Sequence, residues 1–190
     1  TNELISRLFF EYLIPENFYP GLSSRAAGGV FGANFKLAII MNLVIQAFKY
    51  AAEPFFFKQS GNQNSPVLYA KVMHAFILFC TCLMIAISVN LDWLGPLFLR
   101  RPGYEEGLFI VPMLLMGYLL LGIYFNLSIW FKITDKTGYS FWITLAGAVV
   151  SIGVIFFLVP IWGFLGGGLS TLASYLVMCV ICFFFGQKYY

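Results

Sequence analysis

From residue 137 to residue 187 the chain carries no charged side chain, a run of about 50 residues. As a single helix this run would be about 77 Å long at 1.5 Å per residue. The hydrocarbon core of a bilayer is only about 30 Å thick. The run therefore has to cross a membrane twice, with a break inside it. Pro160-Ile-Trp-Gly163 marks the place, because Pro stops a helix, Gly permits a turn and Trp favours the membrane interface. Spans at 139–159 and 164–186 follow. A soluble alternative fails on composition: 61% of the 190 residues are hydrophobic and 10% are charged, against about 25% charged in an ordinary soluble domain. So few charges cannot cover that much apolar surface, which disfavours a cytosolic enzyme. Disorder needs low hydrophobicity and high charge, and is excluded too.

Two further charge-free stretches predict spans at 70–92 and 107–131. A fourth span, 29–57, is apolar but interrupted by Lys36, Lys49 and Glu53. Residues 1–14 read as the end of an earlier helix, stopped by Pro15. The expected fold is all-α, a polytopic transmembrane bundle of about five full spans plus the end of a sixth. Short connections make neighbouring helices antiparallel. The chain opens on Thr1 and is expected to be one piece, 1–190, of a longer protein. Orientation rests on a small charge bias. One side carries Lys58, Lys71, Lys132, Lys136 and Lys188 with Asp135; the other carries Arg7, Arg25, Arg100 and Arg101 with Glu16, Asp92, Glu105 and Glu106. The positive-inside rule puts the first side in the cytoplasm.

The interrupted span holds the most informative pattern. Asn42, Gln46, Lys49 and Glu53 are spaced i, i+4, i+7 and i+11. At 100° per residue they fall at about 0°, 40°, −20° and 20°, one narrow stripe. Amides and charges facing lipid would lose their hydrogen bonds, so the stripe must face other helices or a water-filled cavity. Lys49 and Glu53 are four apart and can pair directly. Two readings stand: the polar wall of a translocation pathway, or a structural pair near the helix end with Lys49 snorkelling to the interface. Lys36 lies about 120° from the stripe, is expected close to the helix start, and can snorkel or reach an anionic headgroup.

In the 107–131 span, Tyr118, Gly122 and Asn126 share one side, and Asn126 is expected to hydrogen-bond a neighbouring helix. Thr144, Gly147, Ala148 and Ser151 cluster on one face of the next span, and Gly166, Gly167, Gly168, Ser170 and Ser174 line the last; both read as close helix packing. Cys179 and Cys182 have the CxxC spacing, but they lie inside an apolar span, so they read as fillers rather than a metal or redox site, as do Cys80 and Cys82. His74 has no cluster around it. No GxSxG, His–Asp set or phosphate-cradling Gly-Lys loop is present, which points away from an enzyme. No cofactor, metal or nucleic-acid partner is expected.

Three stretches carry a family resemblance. Residues 31–57 contain Phe-Gly-Ala-Asn-Phe-Lys-Leu-Ala-Ile-Ile-Met and Ile-Gln-Ala-Phe-Lys-Tyr-Ala-Ala-Glu-Pro-Phe-Phe-Phe. Residues 124–137 read Tyr-Phe-Asn-Leu-Ser-Ile-Trp-Phe-Lys-Ile-Thr-Asp-Lys-Thr. Residues 158–175 read Leu-Val-Pro-Ile-Trp-Gly-Phe-Leu-Gly-Gly-Gly-Leu-Ser-Thr-Leu-Ala-Ser-Tyr, with Gly-Gln-Lys-Tyr-Tyr closing the chain. This wording resembles the C-terminal half of bacterial Wzx-type polysaccharide biosynthesis proteins. These are the lipid-linked oligosaccharide flippases of the multidrug/oligosaccharidyl-lipid/polysaccharide exporter superfamily.

The resemblance implies two lobes of about six helices around a central cavity, with this chain as one lobe and an N-terminal lobe as its partner. It implies alternating access in the bacterial inner membrane, with a polyprenyl-pyrophosphate-linked oligosaccharide (an O-antigen, capsule or exopolysaccharide repeat unit) as substrate and H⁺ or Na⁺ as a possible coupling ion. A cationic side chain in the cavity suits a pyrophosphate, and Lys36 and Lys49 are the candidates. The expected substrate pathway comprises Lys49, Glu53, Gln46, Asn42, Lys36 and Asn126. Two alternatives make different demands. An ion-coupled multidrug-type exporter of the same superfamily calls for an acidic cavity. A membrane enzyme of glycan assembly calls for a long extramembrane loop with catalytic residues, and the longest loop expected here is only about 15 residues, around 92–106.

Overall fold

The structure, a computed structural model, describes residues 9, 10, 12–15, 18–61, 65–99 and 103–189. The partial span expected at 1–14 falls largely outside these residues, as do Arg7, Glu16, Arg100 and Arg101 and the side chain of Lys188. From Ser24 onward, seven α-helices follow one another among the described residues: α1 Ser24–Gln59, α2 Ser65–Val89, α3 Leu91–Phe98, α4 Val111–Leu127, α5 Ile129–Ile133, α6 Gly138–Trp162 and α7 Phe164–Tyr189. A 3-10 segment, Tyr104–Ile110, leads into α4. Among the described residues there is no strand, only an isolated bridge between Tyr19 and Leu22. Among the described residues five helical stretches are long and apolar enough to cross a membrane: α1, α2, Tyr104–Ile133, α6 and α7. The protein is an all-α, multi-pass membrane bundle.

Local chemistry explains where the helices start and stop. The hydroxyl of Ser23 accepts from the Ala26 N–H and caps α1. The helix therefore begins before Gly28-Gly29 rather than on it. Pro66 lies in the first turn of α2 and Pro112 in that of α4, where a missing N–H costs little. The stretch 92–106, expected as a loop, is partly helical, because α3 occupies most of its first half and the 3-10 segment begins at Tyr104.

The break in the charge-free run lies later than Pro160. α6 continues through Pro160 to Trp162, and Gly163 alone separates it from α7. Gly163 has φ +53° and ψ −120°, a conformation costly for any residue with a Cβ. The rings of Phe18 and Tyr19 also occupy the space a Cβ would need. Tyr19 stacks on Phe164 with ring centroids 4.4 Å apart, and its hydroxyl accepts from the Phe164 N–H at 2.9 Å. The segment before α1 thus caps the start of α7. Burial, opposed by that N–H and aided by the Glu106 charge, raises the Tyr19 phenol above its ordinary value.

α4 is the central helix, packing against α1, α2 and α7, while α6 packs on α7. Leu114, Leu115 and Tyr118 of α4 are fully buried, beside Phe31, Phe35, Leu37, Met41 and Ile45 of α1. α2 buries only Ser65, Phe76, Cys80 and Ile87. Its Leu78, Phe79 and Val89 point outward, as a lipid-facing helix requires. The small residues of the α6–α7 hairpin bring the two backbones together. The hydroxyl of Ser174 donates to the Gly147 carbonyl at 2.8 Å, and Gly166 lies against the backbone of Leu158.

Candidate functional site

The stripe on α1 lies on the flank of the helix. The buried residues Ala38, Met41, Ile45, Ala52 and Phe56 fall to one side of it, about 50–110° from its centre on the helical wheel. On the other side Leu43 and Tyr50 are 65% and 71% exposed. Asn42, Gln46, Lys49 and Glu53 are all half-buried between these two faces. Gln46 donates its amide to the Asn42 carboxamide at 3.4 Å, linking the two amides along the stripe. At 36 residues α1 is about 54 Å long, more than a bilayer core needs, so it tilts or projects beyond it.

The expected Lys49–Glu53 pair does not form. Lys132 donates to Glu53 Oε1 at 2.7 Å instead, with both side chains about 30% exposed or less. The ammonium of Lys49 lies 4.4 Å from the centroid of Phe125, a cation–π arrangement. Two features of 104–133 account for this exchange. Phe125 projects from the last turn of α4 toward α1 and accepts the cation. The helix then breaks at Ser128, whose hydroxyl donates to the Phe125 carbonyl at 2.8 Å and competes with the helical ladder. The short α5 that follows carries Lys132 back toward Glu53. Lys132, expected in a loop, is therefore helical and part of the polar cluster. No local spacing signals this pairing, since the partners are 79 residues apart.

Asn126 does not bond a neighbouring helix as expected. Its amide donates to the Gly122 carbonyl of its own helix at 3.0 Å, and its Oδ1 is buried without a partner. With Lys49, Glu53 and Lys132 it borders a small cleft between α1, α4 and α5. Lys36 stands apart from this group. It lies more than three turns into α1, not near its start, and it is exposed.

One buried polar residue was not singled out from the sequence. Asn34 is completely buried, and its amide donates to the carbonyls of Val30 at 2.9 Å and Tyr104 at 3.0 Å. It ties the 3-10 segment to α1, and Gly107 leaves the room it needs. Its Oδ1 has no partner. A lone Asn on the buried face of α1, about 80° from the stripe, is the signal that was there to be read. The other chemical side chains bond helix carbonyls, Cys179 of α7 across to α4 and His74 within its own helix. Cys179 donates to the Leu120 carbonyl at 2.9 Å, and His74 contacts the Ala70 carbonyl at 2.8 Å on an exposed face. Among the described residues no three His, Cys, Asp or Glu side chains come together.

Comparison with protein-family models, with curated proteins and with solved structures yields no match.

Proposed function

We propose that the chain is one lobe of a flippase that moves a polyprenyl-pyrophosphate-linked oligosaccharide across the bacterial inner membrane by alternating access. The observation that carries this reading is the uncancelled charge of Lys49. Glu53 is neutralised by Lys132, which leaves Lys49 on the half-exposed flank of α1 over the ring of Phe125, with that of Tyr50 at 6.0 Å. A cation kept in this way suits a diphosphate, whose charge draws it off the ring. Asn42 and Gln46 continue the polar surface along α1 and offer amides to sugar hydroxyls. In this reading a second lobe of the same protein faces the stripe and closes the cavity.

An exporter of cationic drugs calls for a free acid at this place, and the acid here is paired with Lys132. The resemblance of residues 31–57, 124–137 and 158–175 to Wzx-type proteins supports the glycan cargo. The test is the fate of the lipid-linked glycan in cells lacking the gene. Precursor stranded on the cytoplasmic leaflet is the expected result, with restoration by the intact gene. A normal outer-leaflet pool in the deletion strain removes the proposal.

A further inference from the structure

A cavity of about 270 Å³ opens at the end of the bundle where α1 ends, α2 begins, α4 passes into α5 and α7 ends. Phe56, Tyr69, Met73, Trp130, Cys182 and Phe183 form most of its wall. Its size is just below that of common ligand pockets, which run from about 300 to 1,000 Å³. The wall is mostly apolar, with Asn126 and Gln187 its polar members, and the hydroxyl of Tyr69 is already donated to the Phe56 carbonyl at 2.7 Å. All four linings come from helix ends, and Tyr and Trp among them mark the level of the membrane interface.

The rim of the same end is basic. Lys58 in the last turn of α1 and Lys71 in the second turn of α2 are exposed; at 100° per residue they leave their helices about 200° from Phe56 and about 100° from Ala70, so they flank this end of the bundle rather than line the cavity. Lys132 and Lys136 are also at this end. The acids there are Glu53 and Asp135, and Glu53 is neutralised by Lys132. We propose that this end binds an anionic phospholipid, with one acyl chain in the cavity and the headgroup phosphate at the level of Lys58 and Lys71. The apolar wall selects a lipid over free phosphate, and the basic rim selects an anionic headgroup over a zwitterionic one. The cavity adjoins the cleft beside the stripe, sharing Phe56, Asn126 and Ile129 with it, but the lipid proposal does not depend on what the protein transports.

The test titrates the purified, delipidated protein in detergent with phosphatidylglycerol or phosphatidylcholine of identical chains, read by native mass spectrometry. A one-to-one adduct retained about fivefold better with phosphatidylglycerol is expected. Ala70→Trp, at an exposed lining position, is expected to lower retention of both lipids. Lys58→Gln with Lys71→Gln, which leaves the cavity intact, is expected to bring phosphatidylglycerol down to the phosphatidylcholine level. Glycerol phosphate, a headgroup without chains, is expected not to compete. Equal retention of the two lipids, competition by glycerol phosphate, or a double lysine variant that keeps the preference overturns the proposal. So does full retention by a folded Ala70→Trp protein, judged by its melting curve.

Discussion

Glu53 of α1 and Lys132 of α5 form a 2.7 Å ion pair across 79 residues of sequence, although Lys49 stands one helical turn from Glu53. The nearer lysine is drawn to Phe125 instead. The pair joins α1 to the segment after the α4 break, and it leaves one of the two lysines uncompensated.

This partner choice is measurable by double-mutant cycles on thermal stability in detergent. Glu53→Ala and Lys132→Ala are expected to couple by about 1 kcal/mol, a modest value because both side chains are partly exposed. Glu53→Ala and Lys49→Ala are expected to be additive within about 0.5 kcal/mol. A larger coupling for Lys49 than for Lys132 contradicts the geometry.

Lys49 and Lys36 are expected to differ in transport. Lys49→Ala is expected to lower complementation of a deletion strain by about tenfold or more, the loss that follows from removing a charge-assisted contact of about 1.5–3 kcal/mol. Lys49→Arg retains the charge and the stacking on Phe125 and is expected to stay active. Lys36→Ala, exposed and away from the cluster, is expected to remain near wild type. Equal sensitivity at both lysines argues against the flank of α1 as the pathway.

Asn34 is expected to matter for stability rather than cargo. Asn34→Ala loses the bond to the Tyr104 carbonyl and opens a small void, a cost of about 1–3 kcal/mol. Asn34→Asp is expected to be worse, because an ionised carboxylate cannot donate to the two carbonyls and would be buried as a charge. Melting temperatures in detergent distinguish these outcomes, and an Asp variant as stable as wild type would falsify the assigned donor role.

Gly163 and Tyr19 are expected to act together at the α6–α7 turn. Gly163→Ala meets a positive φ and the rings of Phe18 and Tyr19, so a loss of about 2 kcal/mol or more is expected. Tyr19→Phe keeps the stacking on Phe164 and loses only the bond from its N–H, about 1 kcal/mol. Unfolding followed by tryptophan fluorescence separates the two. A Gly163→Ala protein as stable as wild type would show that the turn is not set by this residue.

The all-α membrane character was legible in the linear sequence because a bilayer tests composition locally. Every segment of about 20 apolar residues must become a helix to satisfy its own backbone, whatever its neighbours do. The stripe was legible for the same reason, since Asn42, Gln46, Lys49 and Glu53 share a face through helical geometry alone. Helix ends were less so. Ser23 moved the start of α1 ahead of the Gly pair, and Gly163 rather than Pro160 ended α6, because caps and left-handed turns are decided by single residues and what packs on them.

What only the tertiary structure decided is which polar groups meet. Local spacing offered Glu53 to Lys49, and the α4 break offered it Lys132, which arrives with better geometry from another helix. Asn34 looked like one residue in an apolar run until the 3-10 segment brought the Tyr104 carbonyl to it. Sequence periodicity fixes the direction in which a side chain leaves its own helix. The partner it finds depends on the crossing and breaking of helices far away in the chain, and that is set by packing.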